Sequence, residues 1–143
     1  TALHGIADEE LSRPREAYFS TLRANLRHTL MAQRVWLARW KGETPPRPDD
    51  PIEGPWPAAY AATHAALAAY LSPMSDADFD RVVHYRNVKG EPYALPLGQL
   101  VTHLVNHGTA HRAETGLLLE RLGRSPGDLD YLYFALSMAQ RGW

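Results

Sequence analysis

The 143-residue chain has no cysteine. That excludes a disulfide framework, a thiolate nucleophile of its own and Cys-ligated zinc, so any metal site must be built from nitrogen and oxygen ligands. Charge of one sign is also missing. With 15 Lys and Arg against 16 Asp and Glu, the formal charge is −1, and there is no electrostatic basis for nucleic-acid binding. No run of about twenty apolar residues occurs, so no membrane-spanning helix is predicted. No signal-peptide pattern is visible at the start, which is Thr1 rather than Met. With 45% apolar and 22% charged residues, the chain is long enough to bury a core. These features predict a single domain over residues 1–143 with a cytoplasmic address.

What is present is mostly helical patterning. From Pro14 to Trp40, Phe19, Leu22, Leu26 and Leu37 recur at spacings near three, four and seven, with Gly42 as the stop. Pro14 suits a first helical turn. Residues 43–57 hold six of the 11 prolines and predict a loop or extended strap. The Ala-rich stretch Ala58–Leu71 favours helix, with Tyr60, His64, Leu67 and Leu71 as its inward line. "SDAD" after Met74 has the form of a helix-start capping arrangement. "RVVHYRNVKGEPYALP" alternates and breaks at Lys89-Gly90, the pattern of a brief hairpin. The longest helix is predicted from Pro96 to Leu122, closed by Gly123. A last one begins around Ser125–Asp128 and carries Leu129, Leu132, Tyr133 and Leu136.

Seven histidines carry the chemistry. In "HLVNHGTAHRAE", His103, His107 and His111 stand four residues apart, so each is only about 40° around the helix from the last. Leu100, Leu104, His107, His111, Glu114, Leu118 and Leu122 lie on one face, so His107 and His111 interrupt an apolar stripe and therefore point inward. Burying imidazoles among leucines is unfavourable unless their nitrogens find partners. A lone inward histidine is ordinarily a hydrogen-bonded core residue. Two at i and i+4 can converge on one ion, although HxxxH without the zincin glutamate is only moderately specific. His28, flanked by Leu26, Leu30 and Met31, is the best third ligand, and three imidazoles leave open positions on an ion. His103 is assigned an outer or surface role, His64 packing, and His4 and His84 exposure. Trp36 is a candidate wall of the cavity. Glu114 is the candidate catalytic residue, as a base or as an acceptor behind His111.

"NLRHTLMAQRVWLARWKG", followed at a distance by "LGQLVTHLVNHGTAHRAETGLLLERLG", resembles the DinB/YfiT-like metalloenzyme superfamily. "VHYRNVKGEPYALPL" between them matches that family's tyrosine-plus-glycine stretch. The resemblance covers about Leu3 to Tyr133. It implies an all-α, up-down-down-up four-helix bundle with His28, His107 and His111 as metal ligands. Two departures stand out. The family's first helix is absent ahead of "ALHGIADEELSRP", so it is either missing here or supplied by the C-terminal segment or a second chain. A homodimer is the expectation. Ala113-Glu114 also replaces the Gly-Gln that follows "HR" in many members.

The resemblance further implies a divalent ion and an external low-molecular-weight thiol such as mycothiol or bacillithiol; the affinity order at imidazole ligands favours zinc or nickel ahead of manganese or iron. Three neutral imidazoles leave the ion its full charge, which favours thiolate or hydroxide chemistry. The leading expectation is a metal-dependent thiol S-transferase acting on a small molecule. Metal-assisted hydrolysis and a non-catalytic, stress-associated metal-binding protein are the alternatives.

Overall fold

The computed structural model describes residues 2–141. Among them are five α-helices: α1 (Asp8–Ser12), α2 (Leu22–Lys41), α3 (Trp56–Leu71), α4 (Leu97–Glu120) and α5 (Tyr131–Ala139). A 3₁₀ turn (Asp76–Asp80) and two strands, β1 (Val82–Arg86) and β2 (Pro92–Pro96), lie between α3 and α4. The fold is thus mostly helical but not all-α, because it carries a small antiparallel hairpin. No helix of the described residues is long and apolar enough to cross a membrane.

The chain forms two compact units. One comprises Arg27–His107, and the other the described residues up to Leu26 together with those from Gly108 onward. Helices α2 and α4 each contribute to both without a break.

In the Arg27–His107 unit the core is Trp40, Val83, Leu97, Leu100 and Leu104, with Leu67, Tyr70, Met74 and Phe79 packed against it. Two hydrogen bonds tie its edge together. Tyr70 donates its hydroxyl to the Trp40 carbonyl at 2.8 Å, and Arg81 donates to the Tyr70 oxygen at 2.7 Å. Arg39 lies over the rings of Trp36 and Tyr85 at 4.8 and 5.2 Å. Burial lowers its pKa, partly opposed by Tyr85. The hairpin pairs Val83 with Leu95 and Tyr85 with Tyr93, and the prolines of β2 stand at its ends, where a missing N–H is tolerated. Of the expected inward line of α3, Leu67 and Leu71 pack against this core, but His64 does not belong to it. Ala59 and Thr63 are its buried residues, and His64 is exposed beside Tyr60. Thr63 donates to the Ala59 carbonyl and accepts from Arg34, which satisfies the buried hydroxyl.

In the other unit Leu11, Leu22, Leu26, Leu118 and Leu119 are buried. Helix α2 starts at Leu22, eight residues later than the pattern from Pro14 predicts. Thr21 caps it, its hydroxyl accepting from the Ala24 N–H at 3.0 Å. The preceding segment finds other partners: Arg15 N–H bonds to the Ser20 carbonyl, and Phe19 N–H reaches a side chain on α4. Periodicity could not show that these amides are claimed outside a helix. At the other end of α4, Gly123 adopts φ +67° and lets the Arg124 N–H return to the Leu119 carbonyl, a left-handed helix stop. Helix α5 begins at Tyr131, with Asp130 capping the Leu132 N–H, later than the expected Ser125–Asp128 start. It buries no residue.

Candidate metal centre

The site grows out of two helices. Leu22, Leu26 and Leu30 form one buried stripe of α2, and His28 lies beside it, half-buried. On α4 the buried Leu100, Leu104 and Leu118 share their face with His107, His111 and Glu114, all half-buried, as the spacing predicts. An inward face of leucine thus carries imidazole for two successive turns.

The Nε2 atoms of His28 and His107 stand 3.0 Å apart, with ring centroids at 5.0 Å. His28, His107 and His111 each offer a ring nitrogen, and these three atoms lie within 4.8 Å of one another. The donor set fits a divalent ion. Two imidazole nitrogens bound at about 2.1 Å and subtending about 90–109° at an ion are about 3.0–3.4 Å apart. Neutral nitrogen ligands also suit zinc, nickel or copper-like ions better than magnesium or calcium.

His111 is held through its Nδ1 edge. Its Nδ1 faces Glu114 Oε2 at 3.4 Å, and the Phe19 ring lies 5.4 Å from it, centroid to centroid. Glu114 is itself clamped. Its Oε1 accepts from the Phe19 N–H at 3.2 Å, and its Oε2 accepts from Asn25 Nδ2 at 2.5 Å. Asn25 is fully buried, and its Oδ1 accepts from the Thr115 hydroxyl at 3.3 Å.

The other histidines fall elsewhere. His103 is exposed and meets the Trp36 ring edge-on at 5.3 Å, with the His107 ring 5.8 Å away. Trp36 packs on His103 and Tyr85. His84 and His4 are exposed, as expected. Arg112 donates to the Thr109 hydroxyl at 3.0 Å. Sequence reasoning missed Asn25, Phe19 and Thr115. A signal for Asn25 existed: it is an amide set between Leu22 and Leu26 on a helix face that is otherwise apolar, and such a group needs a partner.

Long helices presenting convergent imidazoles make this a mostly helical protein with a three-histidine cluster that could hold a metal ion. The chain belongs to the DinB superfamily, whose sequence pattern matches residues 1–115 and so includes all three histidines. No curated protein matches it.

Proposed function

We propose that this chain is a metal-dependent enzyme that transfers a group to or from a low-molecular-weight thiol, with His28, His107 and His111 as the ligands of a divalent ion. The observation that carries the reading is the approach of three histidine nitrogens to within 4.8 Å, two of them at 3.0 Å. When bound, the ion supplies Lewis acidity that lowers the pKa of a thiol reaching it. In the reaction the thiol loses its proton to solvent, its sulfur forms a bond to an electrophilic carbon, and the leaving group departs with the electron pair of the bond that breaks. The absence of cysteine supports an external thiol as the sulfur source.

The chain's own residues act by orientation. His28 and His107 meet from different helices, and the leucines around them exclude water on the core side. Glu114 accepts three hydrogen bonds, which suits it to hold a neighbour in place better than to abstract a proton.

The same reading takes zinc or nickel as the ion, a cytoplasmic location, one functional domain with the family's up-down-down-up helical bundle, and a homodimer. Apolar side chains of α5, exposed at Leu132, Tyr133, Phe134 and Leu136, support the last point.

The test has two stages. Elemental analysis of the purified protein reads the ion and its stoichiometry. The loaded protein is then incubated with mycothiol or bacillithiol and an alkyl halide or epoxide, and thioether formation is followed by mass spectrometry. Metal-dependent thioether formation supports the proposal. Substrate hydrolysis without thiol consumption, or a bound ion with no turnover of either kind, overturns the transferase assignment.

A further inference from the structure

The surroundings of Glu114 explain why a carboxylate is needed here. Three donors converge on its two oxygens: the Phe19 N–H on Oε1, and Asn25 Nδ2 and His111 Nδ1 on Oε2. An ionised carboxylate has only acceptors, whereas a glutamine would turn an NH₂ toward one of these donors. The amide of Asn25 is oriented by a second hydrogen bond. Its Oδ1 is taken by the Thr115 hydroxyl, which leaves Nδ2 aimed at Glu114. The Glu114 and His111 side chains are only 17% and 12% exposed, so water competes weakly for these bonds.

We propose that Glu114 is a positioning residue for the metal centre: held by Phe19 and Asn25, it accepts the Nδ1 proton of His111 and thereby presents Nε2 as that residue's coordinating nitrogen. This rests on the three-histidine reading above. The order of groups is Thr115 to Asn25 to Glu114, with His111 donating from the other side. A carboxylate behind a ligating imidazole fixes its tautomer and ring orientation and raises its basicity. It also gives the three ligands one chemistry, because His28 and His107 already face each other through Nε2. A carboxylate at this position is, on this view, a device for tighter ion binding.

The experiment is a cobalt(II) titration of the purified full chain, stripped of metal, with a competing chromophoric chelator and with the visible d–d bands recorded. The variants are Glu114→Gln, Asn25→Ala and His111→Ala, each with a melting curve of its metal-free form. Glu114→Gln is expected to weaken cobalt binding by about 10- to 100-fold, with altered d–d bands. Asn25→Ala, which leaves the carboxylate but loosens it, is expected to weaken binding less. It also keeps the proposal testable should Glu114→Gln fold poorly. A purely structural role predicts lower metal-free melting temperatures with cobalt affinity and spectrum unchanged, and that result overturns the proposal. If the parent binds cobalt and His111→Ala abolishes it while both other variants match the parent, the positioning role alone fails. If the parent binds no cobalt, the three-histidine reading fails and takes this inference with it.

Discussion

His28 and His107, 79 positions apart in the chain, bring their Nε2 atoms to 3.0 Å on the inward faces of α2 and α4. Two neutral imidazoles can hold this approach only if one donates a proton to the other or if a cation lies against both lone pairs. The second alternative makes metal content depend on each ring. Single replacement of His28, His107 or His111 by alanine is expected to remove most of the bound metal, read as ions per chain by elemental analysis. His64→Ala, His84→Ala and His103→Ala should retain the parent's content, since these rings are exposed and His103 packs on Trp36. Undiminished metal in His28→Ala would sink the assignment and make His103 the next candidate.

Ion binding and stability should move together. A ligand that binds only the folded state stabilises it by about 2.7 kcal/mol at a free concentration of 100 times its Kd. Adding a strong chelator should therefore lower the melting temperature of the parent by several degrees, an increment expected of about this free energy in a chain of this size. The His107→Ala variant should melt at one temperature with or without chelator. A chelator effect of equal size in both proteins would place the stabilising ion elsewhere.

How much of this was legible in the sequence depends on the range of the interactions. The inward line of α4, from Leu100 through His107 and His111 to Leu118, follows from helical geometry alone, and so do the stop at Gly123 and the hairpin turn around Gly90. The start of α2 was not legible, because the amide of Phe19 is bonded to Glu114, 95 residues away, and no local pattern encodes that. The same distance hid the clamp on Glu114. Sequence spacing put Glu114 one turn from His111, but only the fold brings Asn25, 89 residues earlier, onto its other side. In α3 the Ala-rich composition offered no contrast between faces, so the buried face, Ala59 and Thr63, could not be told from that of His64.

The core and α5 should respond to mutation in opposite ways. Leu97 is fully buried in the Arg27–His107 unit, so Leu97→Ala should cost about 2–5 kcal/mol in denaturant unfolding, the range for a leucine removed from a packed core. Leu132 and Phe134 on α5 are more than half exposed, at 58% and 53%, and packing within the chain gives them little to lose. If a second copy covers α5, Leu132→Glu with Phe134→Glu should convert a dimer to a monomer in light scattering and leave the far-UV spectrum unchanged. A parent that is monomeric at high micromolar concentration would remove the homodimer from the proposal.

Asp78 supplies a pH dependence whose sign can be worked out. Its carboxylate accepts from the Ser75 N–H at 2.8 Å and the Ser75 hydroxyl at 2.7 Å, closing a capping box on the 3₁₀ turn that precedes the hairpin. These two hydrogen bonds favour the ionised form and hold the carboxyl below its ordinary value; desolvation opposes them by less, and Arg81 adds the smallest contribution in the lowering direction. A folded pKa below the unfolded one means that the unfolded chain binds the proton more readily. The stabilisation is therefore fully present above the unfolded value of about 3.9 and is lost as pH falls through the lower folded value. Asp78→Asn should melt below the parent at pH 7, by an amount that stays constant down to about pH 4 and then shrinks. Because the group is solvent-exposed, the difference should be small and best read from paired melting curves between pH 2 and 7. A gap that widens toward low pH would contradict the assigned hydrogen bonds, since it would require Asp78 to stabilise the fold in its protonated form.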